Sequence, residues 1–343
     1  MSCFRPLDWT SPHSNSKDGI LKMSIDAMLP LEHLSGPTMG TRFSAQFPAP
    51  DRAWTGNLQD ALQQAVDRVD QQMSPWITTS VVNQINNAPV GAWIALPPEA
   101  QAVLHAALRI EVLSQGSFSM AVGQHSSHHG FGPGMPGLLD ATLPVPPRGR
   151  DSVYIYGARL RKLRPVQIDL CGIAKGFGVD ELARVLLAHG ITDYMVSIDG
   201  ELRCAGSPDG VSGWKVGLEQ PSVDMRQIAH VLECYDLSLA TSGGYRNFKE
   251  RIDGPITHTI APKSGKPLAE VETSVTVAHQ DCMMADAWAT AFLVMGVKKG
   301  LMYAEDHGLH VLFMDNSGPV PVTNGSGIFA GFAGTSHSEA HRL

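Results

Sequence analysis

The sequence predicts an α+β protein. Segments with the short, β-branched pattern of strands outnumber the helical ones, and the helices fall between groups of strands instead of alternating with them one by one. Hydrophobic residues make up 43% of the chain and charged residues 17%, which is the composition of an ordinary globular enzyme. With 343 residues the chain is long enough to bury a large core.

The helical pattern is clear at two places in the first third of the chain. Asn57 is expected to cap a helix that runs to Met73, because its apolar residues recur at helical spacing. Pro97 and Pro98 are expected to start a second helix, which ends before Gly116. Residues 123–150 are rich in Gly, Pro and His, so we expect a long loop there.

Strand patterns occupy most of the rest. Residues 36–47 are predicted to be one strand with a Gly-rich opening, and residues 166–170 a strand that leads into a helix ended by Gly190. Further strands are predicted at 194–198, 214–218, 228–233, 237–240, 274–278 and 310–314.

The charge balance argues against nucleic acid as a partner. The formal net charge is −7, and one basic run occurs, Arg159–Arg164. Its charged residues alternate with Leu160 and Leu163, a pattern typical of the solvated face of a strand or hairpin. No stretch approaches the ~18 apolar residues of a membrane span.

The termini and the cysteines bear on domains and compartment. Residues 1–23 lack the apolar region of a signal peptide and are predicted to be a disordered leader. Residues 24–331 are predicted to form one domain and residues 332–343 a polar tail. The five cysteines are widely spaced and form no C-x-x-C motif, so we expect unpaired thiols and a cytoplasmic location.

The segment from Thr273 to Gly296 carries the strongest chemical signal. It is predicted to be a strand followed by an apolar helix, on which Asp286 and Thr290 share one face because they are four residues apart. A buried carboxylate needs a partner, and Mg²⁺ with oxygen ligands would supply one. The alternative is that Asp286 complements the helix dipole while Thr290 bonds to the preceding turn.

Three other segments suggest a binding site. Residues 169–176 (DLCGIAKG) form a strand–glycine–helix junction where a pyrophosphate could bind, with Lys175 as a positive charge. Residues 240–246 (ATSGGYR) are small enough for a flat ring to approach the backbone. In residues 257–267, His258 precedes a turn, where its imidazole either reaches a ligand or serves the structure.

Taken in order along the chain, these segments resemble the ApbE family of FAD:protein FMN transferases. The resemblance covers about residues 34–331, and its most specific motifs are PTMGT (37–41), DLCGIAKGFGVD (169–180), LATSGGYRNF (239–248), HTIAPKSGKP (258–267) and ADAWATAFLVMG (285–296). It implies mixed, mostly antiparallel sheets packed with helices around an FAD cleft. It also implies Mg²⁺-dependent transfer of the FMN moiety of FAD onto a threonine hydroxyl of a target flavoprotein, with release of AMP.

The resemblance also assigns roles to residues. It implies that His258 is the base and that the metal ligands are Gly172, Asp286 and Thr290. The positions that match FAD contacts are Met39, Trp76, Ser117, Phe118, Ser119, Asp169, Lys175 and Ile260. The implied partners are FAD and an acceptor flavoprotein with a target threonine. Many members of the family are exported lipoproteins, in contrast to the cytoplasmic location expected here.

The chain departs from the family pattern at several positions. Ser119 stands where an acid usually helps to hold FAD, Val81 where Glu is common, and Ala261 where Asp is usual. Histidines also enter residues 123–132, and His125, His128 and His129 raise the alternative of a transition-metal site. Two other functions therefore stay open: an FAD pyrophosphatase that yields FMN and AMP, and a non-catalytic FAD-binding protein.

Overall fold

The computed structural model describes residues 30–49, 57–134, 143–332 and 334–335. The predicted leader, residues 1–23, lies outside these ranges, as do residues 336–343 of the predicted tail. The helices are α1 (Leu58–Met73), α2 (Val81–Asn87), α3 (Pro98–Leu113), α4 (Gly123–His128), α5 (Ala174–Ala188), α6 (Cys282–Met295) and α7 (Val297–His307).

The strands are β1 (Leu31–Thr38), β2 (Thr41–Pro48), β3 (Trp93–Ala95), β4 (Val153–Tyr156), β5 (Arg159–Lys162), β6 (Tyr194–Ile198), β7 (Glu201–Ala205), β8 (Trp214–Glu219), β9 (Ile228–Cys234), β10 (Leu237–Gly243), β11 (Phe248–Lys249), β12 (Ile256–Thr257), β13 (Ile260–Ala261), β14 (Lys266–Pro267), β15 (Thr273–His279), β16 (His310–Asp315), β17 (Val322–Ser326) and β18 (Gly334–Thr335).

One large sheet organises the molecule, with strand order β1-β2-β6-β7-β10-β15-β16-β17-β18. A three-stranded sheet has the order β3-β5-β4, and the pairs β8–β9, β11–β12 and β13–β14 form separate hairpins. All strand pairs within the described ranges are antiparallel. The predicted α+β class with mostly antiparallel sheets is therefore confirmed.

The large sheet is covered on both faces. In β16, Val311 and Phe313 join the core beneath the helices, whereas Leu312 and Met314 join the core beneath the β8–β9 hairpin. This division follows from the alternation of side chains along a strand. Because both faces are covered, β15 is buried almost throughout, although Ser274 and Thr276 are polar. Helices α5 and α6 pack together on the helical face.

The prediction of one strand over residues 36–47 is wrong. The chain forms the β1–β2 hairpin instead, and it turns at Met39 and Gly40, whose φ angles are 47° and 73°. Two residues with positive φ are the signature of a tight hairpin turn. Asn57 precedes α1 as predicted, but its side chain makes no capping hydrogen bond.

Two other predicted segments also differ. Residues 166–170 belong to no strand: the side chain of Asn86 donates to the Ile168 carbonyl and accepts from its N–H, and the Asp169 N–H bonds to the Met120 carbonyl. The expected loop over 123–150 begins with helix α4.

The predicted tail contributes β18, which pairs with β17. No helix in the described ranges is long and apolar enough to cross a membrane.

Candidate active site

The junction of β15 and α6 places Asp286 and Thr290 on one face, as predicted. Asp286 is only 2% exposed, and its Oδ2 accepts a hydrogen bond of 2.9 Å from the Gly176 N–H at the start of α5. The Thr290 Oγ1 lies 3.3 Å from the Ser242 Oγ on β10. Both side chains thus have partners on other elements and not only within their own helix.

The glycine-rich turn before α5 approaches α6 closely. A Cβ at Gly172 would lie 2.9 Å from the Thr290 Oγ1, and a Cβ at Gly176 would overlap the backbone carbonyl of Cys282. Only glycine allows these two approaches. The Asp169 carboxylate fixes the turn by accepting the Cys171 N–H at 2.8 Å.

Lys175 lies at the centre of a buried charge cluster. Its Nζ is 2.9 Å from Oε1 and 2.8 Å from Oε2 of Glu201, and 3.5 Å from the Asp199 Oδ2. Burial by itself lowers the pKa of Lys175, but Glu201 and Asp286 outweigh it and raise this pKa above its usual range. The ammonium group therefore stays charged.

Burial acts on the Asp286 and Glu201 carboxylates of this cluster in the opposite sense, because it raises their pKa values. Burial raises the pKa of Asp286 to about 6, and Lys175 and the Gly176 N–H offset part of that rise. Burial also raises the pKa of Glu201, which Lys175 opposes. When Asp286, Glu201 and Asp199 are all ionised, one ammonium faces three carboxylates, which leaves two negative charges for a further cation to balance.

The oxygen donors here suit Mg²⁺. Asp286 offers a carboxylate and Thr290 a hydroxyl, and Gly172 brings the backbone close to that hydroxyl. Mg²⁺ is commonly held by one or two carboxylates together with substrate phosphates. Among the described residues, no group of three or more His, Cys, Asp and Glu side chains is arranged for a metal.

These residues open into one cleft of about 810 Å³, a size typical of cofactor sites. Every residue predicted for the site lines it. They are Met39, Trp76, Ser117, Phe118, Ser119, Asp169, Gly172, Lys175, His258, Ile260, Asp286 and Thr290.

Two tight turns carry residues into this cleft. Met39 (φ 47°) lies in the β1–β2 turn and Asp199 (φ 54°) in the β6–β7 turn, and both have the positive φ that residues other than glycine rarely adopt. At the mouth of the cleft, Trp76 is 62% exposed, so its ring can cover a flat ligand.

His258 has a defined tautomer. Its Nδ1 lies 3.2 Å from the Asn247 carbonyl oxygen, and because a carbonyl only accepts, Nδ1 carries the proton and Nε2 is left with a free lone pair. Burial lowers the pKa of His258, which favours the neutral imidazole. Phe131 packs its ring at 6.4 Å from the imidazole. The arrangement suits a general base.

Ser119 has an acidic neighbour that the sequence did not indicate. The Ser119 hydroxyl donates a hydrogen bond of 2.7 Å to Glu111, which is 5% exposed and also accepts the N–H groups of Gly149 and Arg150. A buried carboxylate thus already lies behind the position where the family usually has an acid.

His125, in α4, and His129, just after it, are packed against neighbouring segments. His125 is 4% exposed, its Nε2 lies 2.9 Å from the Pro144 carbonyl oxygen, and its ring fills the space beside Gly265. Burial lowers the pKa of His125, and it lowers that of His129 to about 4. No transition-metal cluster occurs here within the part of the chain that the structure describes.

Sequence reasoning missed several cleft residues. Glu201 and Asp199 were not predicted, although the Asp199–Gly200 dipeptide is a hairpin signal that would place Glu201 at the start of the next strand. Ser242 lies within a motif that was recognised, but its contact with Thr290 depends on sheet packing. Arg246 lies within the same motif, but its ion pair with Glu219 at the cleft could not be read from the sequence, and Glu219 itself carried no recognisable signal.

Comparisons with known proteins agree with this geometry. The model of the ApbE family matches residues 39–313. A protein from Vibrio cholerae named FAD:protein FMN transferase is 36% identical over 290 residues, which cover 82% of this chain and 86% of the relative. A protein of the same name from Escherichia coli K12 is 27% identical over 303 residues, covering 83% and 84% of the two chains.

Solved structures show the same fold. The flavin transferase ApbE from Vibrio cholerae superposes with a TM-score of 0.76 at 32% identity, covering 88% of this chain and 99% of that one. The apo form of the Pseudomonas stutzeri flavinyl transferase ApbE gives a TM-score of 0.75 at 28% identity, covering 88% and 96%. Because the family model and these relatives span most of its length, the chain belongs to the ApbE family.

Proposed function

We propose that this protein transfers the FMN moiety of FAD onto a threonine hydroxyl of an acceptor flavoprotein and releases AMP. The observation that carries the proposal is that Lys175, His258, Asp286 and Thr290 meet in one cleft of suitable size. Relatives that cover most of the chain bear the name FAD:protein FMN transferase, which supports the same activity.

The proposed reaction is a phosphoryl transfer. The threonine oxygen forms a bond to the phosphorus of the FMN half, the bond from that phosphorus to the bridging oxygen breaks, and AMP leaves. Such reactions need alignment and charge neutralisation more than covalent help. Lys175, which stays charged beside Glu201, is suited to neutralise the pyrophosphate.

His258 would take the proton of the attacking hydroxyl. Its Nδ1–H is held by the Asn247 carbonyl, which leaves Nε2 as the acceptor. Because burial favours the neutral imidazole, no prior proton loss is needed at neutral pH. This role places the acceptor threonine on the His258 side of the cleft.

We also propose that Asp286, Thr290 and the backbone carbonyl of Gly172 hold Mg²⁺. When bound, the ion would offset the negative charge of the cluster and of the pyrophosphate. We further propose that FAD contacts the other residues predicted for the site. Met39 and Trp76 would lie against the flavin, and the other contacts would come from Ser117, Phe118, Ser119, Asp169, Lys175 and Ile260.

A single assay tests the activity. The purified protein is incubated with FAD, Mg²⁺ and an acceptor flavoprotein, alongside an acceptor whose target threonine is replaced by valine. We expect AMP release and covalent flavin on the threonine acceptor alone. AMP with free FMN in both mixtures would mean an FAD pyrophosphatase, and unchanged bound FAD would mean a non-catalytic FAD-binding protein.

A further inference from the structure

The sheet β3-β5-β4 has one face in the core and one in solvent. Leu160 and Lys162 of the central strand are buried, whereas Arg159 and Arg161 point outward. The sequence pattern predicts that the basic run Arg159–Arg164 lies on a solvated face. Lys162 departs from this prediction, because its ammonium group points inward and donates to the Asn86 carbonyl at 2.7 Å. We call the outward set the arginine face; its members are Trp93, Ala95, Tyr154, Tyr156, Arg159 and Arg161.

The arginine face is built of two cross-strand rows. In the first, Arg161 is paired in register with Trp93 on one side and Tyr154 on the other. Its guanidinium lies 5.0 Å from the Trp93 ring centre and 5.4 Å from that of Tyr154. In the second row, Arg159 lies between Ala95 and Tyr156 and also reaches the Trp93 ring at 5.4 Å. The rings thus hold both guanidinium groups in place.

Within the part of the chain that the structure describes, the positive charges of this face have no acidic partner. Within the described ranges, neither Arg159 nor Arg161 forms an ion pair, and the face itself contains no Asp or Glu. The Arg161 Nε is buried without a hydrogen-bond acceptor. The net charge of the protein is −7, but this face carries two arginines, without ion pairs to any described residue, among exposed aromatic rings, so it is locally positive.

We propose that the arginine face docks an acidic, extended segment of a partner protein. Arg159 and Arg161 are two residues apart on a strand, so their side chains repeat at roughly 7 Å. Carboxylates two residues apart on an extended peptide repeat at the same distance, and each can accept two N–H groups from a guanidinium. Trp, Tyr and Arg are also the residues that dominate protein interfaces.

The face suits this occupant better than nucleic acid or lipid. Base stacking needs free ring faces, but guanidinium groups cover Trp93 and Tyr154. Two arginines are few for tracking a phosphate backbone. A flat sheet face also lacks the protruding apolar helix that anchors proteins in a bilayer surface. None of the six residues lines the cleft, so the inference is independent of the proposed catalysis.

Peptide binding to the full chain tests the proposal. The probe is a fluorescent peptide of about ten alternating Glu and Gln residues, whose carboxylates have the spacing described above. We expect its anisotropy to rise on binding and the affinity to fall with added salt. Arg159→Gln with Arg161→Gln should weaken binding about tenfold, as expected for the loss of two solvent-exposed ion pairs.

A matched control removes the same charge elsewhere. Lys298→Gln with Lys299→Gln changes two exposed lysines on α7 and should leave the peptide affinity within about twofold of the original. If the arginine double variant is unfolded by circular dichroism, Arg159→Lys with Arg161→Lys replaces it, and we expect weaker binding since lysine loses the forked geometry. Equal binding by the original chain and the folded face variant overturns the proposal. So does preferential binding of oligothymidine or of phosphatidylserine vesicles.

Discussion

Among the single residues, Asp286 matters most for the proposed metal site. Asp286→Ala removes the one buried carboxylate of the donor set, and we expect Mg²⁺-dependent activity to fall about a hundredfold or more. The fold should persist, because the change also removes a buried charge. Asp281→Asn, an exposed carboxylate just before α6, is the control. Normal FAD turnover by the Ala variant at limiting Mg²⁺ would show that the ligand assignment is wrong.

At saturating Mg²⁺, which keeps Asp286 ionised, we expect the pH dependence of the reaction to follow from His258. Burial lowers its pKa below the ordinary value near 6.5, and below that pKa the protonated imidazole cannot accept a proton. Activity should therefore rise with pH through a midpoint below about 6.5. His258→Gln should lower kcat by about 10²–10⁴ and abolish this rise, with little change in KM for FAD. A Gln variant that keeps the same pH profile would exclude His258 as the base.

Ser119 gives a case where structure changes the expectation. From sequence, Ser119→Asp restores the usual acid and should raise FAD affinity. The structure places the Ser119 hydroxyl 2.7 Å from the buried carboxylate of Glu111, so a second acid would repel the first. We expect Ser119→Asp to lower the melting temperature and not to tighten FAD binding.

A double variant separates these effects. Glu111→Gln removes the repelling charge while keeping a hydrogen-bond partner for residue 119, so stability should be partly restored when Ser119→Asp is combined with it. FAD titrations of the single and double variants, with Mg²⁺ present, make the comparison. Tight FAD binding by the single variant, at full stability, would contradict the repulsion argument.

At the scale of elements, α5 fixes the start of α6. Asp180 accepts hydrogen bonds from the N–H groups of Cys282 (3.1 Å) and Met283 (3.0 Å) and pairs with Arg203 at 2.7 Å. The side chain of the N-cap residue Asp281 makes no capping hydrogen bond. Asp180 of α5 instead accepts the N–H groups at the start of α6 and so caps that helix from a neighbouring one.

This contact should couple stability to the metal site. We expect Asp180→Ala to destabilise the protein by about 2 kcal/mol or more, since a cap is lost and a cation is left unpaired. Mg²⁺ affinity should fall as well, because Asp286 lies on the next turn of α6. Asp180→Asn keeps one acceptor and should show smaller losses. Urea unfolding and Mg²⁺ titration measure both effects, and unchanged metal affinity in a destabilised Ala variant would refute the coupling.

Elements whose signals are local could be predicted from sequence. Helix α1 and the β15–α6 junction each follow from the periodicity of one continuous segment, and the Asp286–Thr290 pairing follows with them. The hairpin turn at Met39 was missed because the polar–apolar pattern continues through it, and only the positive φ angles reveal it.

Features that depend on distant contacts could not be predicted. The backbone of Ile168 is satisfied by the side chain of Asn86, 82 residues away, and no local pattern shows this. Glu201 reaches Lys175 because sheet pairing brings the β6–β7 turn beside α5. The family motifs identified the residues of the site, but the charge balance among them is a property of the folded chain.

At the scale of the whole molecule, the thiols bear on location. Cys171, Cys204, Cys234 and Cys282 are free in the structure, and a cytoplasmic location, which we propose, keeps them so. Cell fractionation with an antibody against the native protein should find it with cytoplasmic markers. Recovery from a periplasmic or membrane-anchored fraction would refute this location.

Ligand binding should stabilise the whole fold in a cooperative way. The cleft is lined by the β1–β2 and β6–β7 turns, by α5 and α6, and by the segment that contains His258. A bound ligand therefore contacts elements that are far apart in the sequence. A ligand that binds only the folded state adds about 2.7 kcal/mol at a hundred times its Kd. Because the protein offers Mg²⁺ few side-chain oxygens, tight Mg²⁺ binding needs the pyrophosphate oxygens of FAD, and tight FAD binding in turn needs Mg²⁺.

We therefore expect FAD and Mg²⁺ together to raise the melting temperature by more than the sum of their separate effects. Scanning fluorimetry on the original chain and on Asp286→Ala measures these melting temperatures. In the variant, the rise with both ligands should not exceed the sum of the separate rises. Additive shifts in the original chain would mean that FAD and Mg²⁺ bind independently, and the shared site proposed here would be wrong.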